Sequence, residues 1–317
     1  MIYTFKDFLL EANSAGSKFE QKIANNINKW LKKNKLDNKF KASRFQSIKE
    51  EDGNREEDYS DVVIEDLETK EQFFVECKEK ITDNIITTMF DIQDQDDFPL
   101  VPVKDKSREE VDDELLLQLA SDIQNNELYQ KFGRFLKEET ENVKGGFSPA
   151  DFYFNKQEIS EPELTSLIKK YNKMVKSGKV EADNKPFDDK LIRESTRNLL
   201  AVGLMWRLYD PGNTWDICHL EDIPYFGELI KKHYLEQKEI PAKYLQTGDC
   251  GLFLLGVENP LGINCPTLPE DIQGKFDLKF TPRFGSGAMY ITPRSKVTSK
   301  IYSETSFASE KLFPEIH

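Results

Sequence analysis

Histidine and cysteine are both scarce in this sequence, with three histidines and four cysteines among 317 residues. The cysteines lie far apart, at Cys77, Cys218, Cys250 and Cys265. They form no C-x-x-C pair, and no histidine stands at the spacing of a zinc finger or of an H-E-x-x-H motif. A zinc site is therefore not a leading interpretation. Scattered cysteines are typical of a reducing, intracellular setting.

Long apolar runs are also missing. No stretch approaches the roughly 20 residues that a membrane span requires, and no secretory signal pattern is present, so the sequence predicts no membrane partner. The segment Gly248-Asp249-Cys250-Gly251 lacks the G-K-[ST] ending of a phosphate-binding loop, and no G-x-S-x-G motif occurs. A formal net charge of −13 argues against a protein that coats nucleic acid along its whole surface.

The apolar pattern predicts a mixed α/β (α+β) chain. A short helix is expected over 2–11, then a flexible stretch, then an amphipathic helix from Ser17 that ends at about Asn34. Two short β-branched or aromatic runs follow, from Asp61 and from Gln72, and their polar connection predicts a hairpin. Helices are expected at 83–93, 109–139, 161–176 and 189–209, an irregular stretch at 94–108, and β structure from about Tyr244 onwards.

The acidic pair Asp61 and Glu76 is the strongest candidate for chemistry. Alternate side chains of a strand share a face, so Glu76 and Lys78 lie on one side and Cys77 on the other. If the two runs pair as a hairpin, Asp61 lies opposite Glu76, and two carboxylates meet near the Lys78 ammonium. A hard divalent cation, Mg²⁺ or Mn²⁺, would relieve their repulsion, and Lys78 could orient or deprotonate a bound water.

The order S-D-V-V-I followed by E-C-K resembles the PD-(D/E)XK nuclease superfamily, which has the restriction-endonuclease-like fold, over about residues 17–95. In that family a helix precedes a hairpin, an Asp borders the second strand and a Glu-x-Lys lies on the third. The resemblance implies metal ligation by Asp61, Glu76 and the Cys77 carbonyl, a catalytic Lys78, and Glu20 as an auxiliary acid. Ser60 stands where the signature proline would be.

The alternative for these acids is a solvated strand face in an acidic, lysine-rich protein. Apolar runs beside both acids favour the nuclease interpretation, because they predict that the charges emerge from a buried sheet. Candidate DNA contacts lie in a locally basic C-terminal β-ribbon, for which an ordinary basic hairpin is the equal alternative. The residues concerned are Lys275, Lys279, Arg283, Arg294 and Lys296.

Residues 1–12 resemble the capsid-targeting leaders of internal head proteins in T-even-like tailed phages. The resemblance implies a phage prohead protease as a partner, cutting after Glu11, and a location in the capsid interior as well as in the cytoplasm of the bacterial host. A plain N-terminal helix that packs on the core is the alternative.

Together these observations predict a restriction-endonuclease-like core with a mixed central sheet flanked by helices, a helical middle and a β-rich C-terminal region. The expected segments are a leader at 1–12, a nuclease core at 13–100, a helical insertion or second domain at 101–240 and the C-terminal region at 241–317. The predicted function is a Mg²⁺-dependent DNA endonuclease. A non-catalytic phage head or host-interaction protein on the same core, and a restriction enzyme acting as a homodimer, stay open as alternatives.

Overall fold

The structure is a computed structural model of the whole chain. It describes all residues except 1–4, 46–60, 82–88, 94, 96–97, 104–109, 143–147, 155–157, 180–196, 212–214, 238–240, 284–287 and 310–317. By the packing of its backbone the chain divides into two compact units. The first comprises 1–86, 222–274 and 295–317, and the second comprises 87–221 and 275–294.

The helices are α1 (Phe5–Lys33), α2 (Glu114–Gln124), α3 (Glu127–Asn142), α4 (Pro149–Phe154), α5 (Glu161–Lys176), α6 (Arg197–Tyr209) and α7 (Phe226–Lys232), and α7 continues directly into a π-helical turn, His233–Gln237. The strands are β1 (Phe40–Arg44), β2 (Val62–Asp66), β3 (Gln72–Lys78), β4 (Met89–Ile92), β5 (Leu100–Val103), β6 (Asp216–Ile223), β7 (Ala242–Thr247), β8 (Gly251–Leu254), β9 (Gly274–Arg283) and β10 (Ala288–Val297).

A five-stranded mixed sheet in the order β1-β2-β3-β7-β8 forms the centre of the first unit. Strands β1, β2 and β3 pair in antiparallel fashion, whereas β7 joins β3 in parallel and β8 turns back antiparallel to β7. Parallel neighbours need a crossover connection, usually helical. Helix α7 and the π-helical turn lie in that connection, immediately before β7.

Alternation along the strands gives the sheet two different faces. One face packs against the apolar stripe of α1 in a single buried cluster, to which α1 contributes Ile23, Ala24, Ile27, Trp30 and Leu31 and the central strands contribute Val62, Ile64, Phe73, Val75 and Cys77. The intervening residues Val63, Phe74 and Glu76 are also buried. The sheet is therefore covered on both faces, which is why its central strands are almost continuously apolar.

The second unit combines helices α2 to α6 with short strands. Strands β4 and β5 pair antiparallel, and a three-stranded sheet has the order β10-β9-β6. Its core is aromatic: Phe132 meets Trp206 edge-on with ring centroids 5.5 Å apart and lies 5.8 Å from Phe280. No helix in the described ranges is long and apolar enough to cross a membrane.

The predicted α/β class with a mixed sheet between helices is confirmed, and so is the hairpin, whose strands β2 and β3 pair from Val62 opposite Val75 to Glu65 opposite Gln72. Helix α5 has the predicted bounds, and the predicted helices at 109–139 and 189–209 correspond to α2, α3 and α6, with 189–196 outside the described residues.

Two predictions of local structure are wrong. Residues 89–92 form strand β4 and not part of a helix, because this short apolar run pairs with β5, which lies in the stretch predicted to be irregular. Helix α1 also runs without a break from Phe5 to Lys33, through the stretch expected to be flexible. Gly16 inside a helix costs roughly 1 kcal/mol relative to alanine, which a long amphipathic helix tolerates. Cleavage after Glu11 stays a prediction.

Candidate metal and catalytic centre

The β2–β3 hairpin brings Asp61 and Glu76 together. Val62 pairs with Val75, so the next positions outward are Asp61 and Glu76, and directly opposed residues of an antiparallel pair share one face. Two backbone hydrogen bonds hold Asp61 there. Its carbonyl oxygen accepts from the Phe45 N–H at 3.0 Å, and its side-chain Oδ2 accepts from the Cys77 N–H at 2.8 Å.

Glu76 lies buried on the sheet face opposite α1, while its neighbours Val75 and Cys77 point into the α1 core. Its Oε1 atom is 2.8 Å from Lys78 Nζ, in an ion pair formed by two alternate residues of one strand. The predicted sharing of a face by Glu76 and Lys78 is therefore present. Breaking such a buried pair by removing one partner typically costs about 3–5 kcal/mol, because it leaves a buried charge uncompensated.

The cluster contains one acid more than it contains bases, which shifts the pKa values of its members. Burial raises the pKa of Asp61 to about 7, and the Glu76 carboxylate adds to the increase, while the Lys78 ammonium and the Cys77 N–H oppose it. Burial alone would lower the pKa of Lys78, but the carboxylates of Glu76 and Asp61 outweigh it and hold that pKa above its ordinary value. Lys78 thus neutralises Glu76, and Asp61 loses its proton only as the pH rises through about 7.

Glu20 on α1 approaches the same cluster, since its charge also contributes to the raised pKa of Asp61, as the smallest of the causes. Its carboxylate Oε2 is 2.6 Å from Arg44 Nε at the end of β1. Glu20 therefore belongs to the rim of the cluster, where Arg44 binds it.

Cys77 contributes its backbone to the site, as its N–H bond to Asp61 shows. Its thiol is buried on the opposite face, within 3.8 Å of the Val75 carbonyl oxygen. Burial and the neighbouring carboxylates raise the pKa of the thiol well above its ordinary value. A thiol that resists ionisation is a poor nucleophile and a poor metal ligand.

The donor set fits a hard divalent cation. Carboxylate and carbonyl oxygens are the ligands that Mg²⁺ prefers, and it normally keeps several waters as well. Burial raises the pKa of Asp61 to about 7, so a cation that binds here would favour the ionised form of this acid and release its proton. Across the described ranges no set of three or more His, Cys, Asp or Glu side chains is arranged to hold a metal, so a site here would depend on two carboxylates and a backbone oxygen.

Tyr234 is a member of the cluster that sequence analysis missed. It lies in the π-helical turn after α7, is 1% exposed, and its hydroxyl is 3.4 Å from Glu76 Oε1. Burial and the two carboxylates raise its pKa well above the ordinary value, so the phenol keeps its proton. Only the three-dimensional packing could reveal this contact, because Tyr234 is 158 residues from Glu76 in sequence.

The predicted DNA-binding residues lie on strands β9 and β10. Lys275, Lys279, Arg283 and Arg294 belong to the second unit and Lys296 to the first. In β9 the predicted alternation is present: Phe276, Leu278 and Phe280 are buried, while Lys275 and Lys279 are partly exposed.

The positive charge of the ribbon is reduced by its one acid. Lys275 Nζ lies 3.3 Å from Asp277 Oδ2, and Asp277 Oδ1 lies 2.8 Å from His219 Nδ1. Arg294 and Lys296 are exposed, whereas the side chain of Arg283 is outside the described part of the structure.

A basic groove of about 590 Å³ lies on the solvent side of α1, next to Ala308 and Ser309. We call it the lysine groove. Its lining from α1 consists of lysines and amides, namely Lys18, Gln21, Lys22, Asn25, Asn26 and Lys29. The helical spacing of the three lysines was visible in the sequence, but that these side chains line a concave surface was not.

Comparison of the chain with protein-family models, with curated proteins and with solved structures returned no match.

Proposed function

We propose that this protein is a Mg²⁺-dependent nuclease that hydrolyses DNA phosphodiester bonds, with Asp61, Glu76 and Lys78 as its active centre. The observation that carries the proposal is the cluster itself, in which the buried Glu76 and the half-buried Asp61 meet beside Lys78, and in which burial raises the pKa of Asp61 to about 7. Perturbed carboxyl groups of this kind concentrate at functional sites. A purely structural cluster would be expected to contain as many bases as acids.

The order of elements supports a restriction-endonuclease-like core. Helix α1 precedes β1 and β2, Asp61 immediately precedes β2, and Glu76 and Lys78 lie on β3, the third strand. The PD-(D/E)XK motif occurs in the same order in the family that the sequence resembles. The mixed sheet, with α1 on one face and the α7 connection before β7, provides the layered arrangement that such a core requires.

In this proposal Asp61, Glu76 and the Cys77 carbonyl hold the cation. Bound there, Mg²⁺ would supply Lewis acidity and a lowered pKa for coordinated water. Lys78 would act as a charged hydrogen-bond donor to the attacking water or to the phosphate oxygens, because its ion pair with Glu76 favours the protonated ammonium. This favours orientation and charge stabilisation over proton abstraction as the role of Lys78.

A polyanionic substrate suits the basic surface of the first unit. The lysine groove carries Lys18, Lys22 and Lys29, which belong to the same unit as the acidic cluster. The groove lies on the solvent side of α1, and α1 covers the sheet face opposite Glu76. Its phosphate contacts would therefore hold a long nucleic acid on the protein without reading its sequence, and would not place the scissile phosphate at the cluster.

The test is cleavage of supercoiled plasmid in the presence of Mg²⁺. We expect wild type to give nicked and linear products and Lys78→Ala to lose activity by about a hundredfold or more, as when a charged group that stabilises the transition state is removed. Lys41→Ala is the control, because Lys41 is an exposed lysine on the same sheet. Equal cleavage by wild type and Lys78→Ala would refute the enzyme proposal.

A non-catalytic phage head or host-interaction protein is the second candidate. The Lys78–Glu76 ion pair favours it, because a buried pair can also be a purely structural element of a strand. Calorimetry with Mg²⁺ separates the two candidates, since only the nuclease requires the cation to bind at Asp61 and Glu76.

A further inference from the structure

Beyond the motif residues, we propose that Tyr234 is a positioning residue of the proposed metal centre, which holds Glu76 in the orientation needed to bind the cation. The inference rests on the proposed function, since it assigns a role at the same site. Tyr234 lies outside the segment that resembles the nuclease motif, and it comes from the crossover connection and not from the hairpin.

Glu76 Oε1 has two donors on different elements. Lys78 Nζ lies 2.8 Å away on the same strand, and the Tyr234 hydroxyl lies 3.4 Å away on the π-helical turn. The first contact is short and joins two charged groups, whereas the second is long and has an uncharged donor. Because these two donors come from different elements, together they oppose rotation of the Glu76 carboxylate.

The backbone around Tyr234 has an unusual conformation. The turn His233–Gln237 is π-helical and continues α7 without a gap. Such π-helical turns are rare in proteins, and those that occur are frequently found at functional sites. Here the π-helical turn carries a buried phenol whose hydroxyl reaches the Glu76 carboxylate. The side chain of the adjacent Leu235 lies beside Gly256, two residues after the end of β8.

The start of α7 is fixed by close backbone contacts, so the helix has little freedom to slide. A Cβ atom built on Gly227 would lie 2.3 Å from the Pro269 carbonyl oxygen, and one built on Gly274 would lie 2.2 Å from the Phe226 ring. These contacts allow glycine alone. They tie α7 to the loop before β9, and thereby fix the position of Tyr234 seven residues later in the helix.

Residues that hydrogen-bond to a metal-ligating side chain typically change the metal affinity by about 10–100-fold. We therefore expect Tyr234→Phe, which keeps the ring and removes the hydroxyl, to weaken Mg²⁺ binding in calorimetry by about tenfold. The Mg²⁺ concentration for half-maximal plasmid cleavage should rise by the same factor. The rate at saturating Mg²⁺ should stay within a few-fold of wild type, because Tyr234 acts through Glu76 and does not touch the reacting atoms.

Tyr244→Phe is the matched control. Tyr244 is also a buried tyrosine of the first unit, and its hydroxyl donates to Asn259 Oδ1 at 2.6 Å, on the sheet face that belongs to the α1 core. It should change thermal stability without changing the dependence on Mg²⁺. Thermal unfolding without metal shows that both variants are folded.

The outcomes separate the two proposals. The inference is supported if wild type binds Mg²⁺ and cleaves DNA, and if the Mg²⁺ dependence shifts in Tyr234→Phe but not in Tyr244→Phe. The inference is overturned if the two variants depend on Mg²⁺ equally, or if Tyr234→Phe lowers only the thermal stability. Either result leaves the proposed function standing. Wild type that neither binds Mg²⁺ nor cleaves overturns the proposed function and, with it, the role of Tyr234.

Discussion

At the scale of single residues, the raised pKa of Asp61 makes the stability of the fold depend on pH. This pKa is about 7 in the folded protein against a reference value of 3.8, so between these two values the folded state binds more protons than the unfolded state. The free energy of unfolding of the metal-free protein therefore falls as pH rises through this window. The ionised Asp61 destabilises the fold above pH 7, unless a cation is bound.

We therefore predict that Asp61→Asn stabilises the metal-free protein at pH 8 and has little effect at pH 4. The shift of about three pKa units corresponds to at most about 4 kcal/mol at pH 8. The measurement is urea unfolding with a chelator at the two pH values. Equal effects at both pH values would contradict the assigned burial of the charge.

Asp66→Asn is the control for that experiment, because its expected effect on the free energy of unfolding has the opposite sign. Asp66 Oδ1 accepts the N–H groups of Glu68 and Thr69 in the hairpin turn, at 2.9 and 3.0 Å, and the Thr69 N–H is the largest of the influences that lower its pKa. Its ionised form is thus stabilising, so the substitution should lower stability above the ordinary pKa of an aspartate.

At the scale of elements, α7 and its π-helical turn couple the sheet to the site. Gly227 in α7 meets two backbone oxygens, with a built Cβ atom 2.3 Å from Pro269 O and 2.7 Å from Glu270 O. Backbone cannot move aside as the end of a side chain can. The position of α7, and with it Tyr234, depends on the absence of a side chain at this residue.

We predict that Gly227→Ala lowers the free energy of unfolding by roughly 1–3 kcal/mol, the usual cost of overpacking. Gly133→Ala in α3 is the matched control, because its Cβ would lie 4.0 Å from the Phe98 ring, an ordinary contact. There the better helix propensity of alanine should stabilise by up to about 1 kcal/mol. Chemical unfolding of both variants measures the difference in sign, and stabilisation by Gly227→Ala would contradict the packing described for α7.

Local patterns predicted the elements whose partners are close in sequence. The β2–β3 hairpin follows from two apolar runs and a polar turn, and α1 and α5 follow from helical periodicity. Strand β4 was missed because a four-residue apolar run is ambiguous until its partner is known. The parallel pairing of β3 with β7, Glu76 opposite Leu245, has no local signal, since either strand could have paired elsewhere.

The same distinction applies to the site. Asp61, Glu76 and Lys78 were predictable because alternation and one hairpin bring them together. Tyr234 was not, because the position of its hydroxyl depends on the crossover, on the register of β7 and on a π-helical turn that no simple periodicity encodes. Residues that distant segments contribute to this site can be identified only from the three-dimensional fold.

At the scale of the whole molecule, the net charge of −13 conceals an uneven distribution. The lysine groove carries three lysines on the solvent side of α1. Long-range repulsion by the rest of the chain should weaken nucleic-acid binding, while lysines that bind phosphates should make the remaining affinity depend on salt.

We predict that the double variant Lys18→Ala/Lys22→Ala binds DNA more weakly than wild type. The slope of log affinity against log salt should become shallower by roughly 2, because each phosphate that a lysine neutralises contributes about 0.9 to that slope. Lys32→Ala/Lys33→Ala is the control, since these lysines lie in the last turn of the same helix and outside the groove. The measurement is fluorescence anisotropy in a chelator at several salt concentrations, and identical slopes for both double variants would exclude the groove as the binding surface.

The first unit is assembled from three separate stretches of chain, and this has a consequence for its synthesis. Glu76 and Tyr234 are 158 residues apart, and a ribosome adds about 5–20 residues each second, so roughly ten to thirty seconds separate the appearance of the two residues. Strand β7 emerges later still. The nascent chain therefore carries the acidic pair on an incomplete sheet throughout this interval, and the complete centre can form only after β7 has been synthesised.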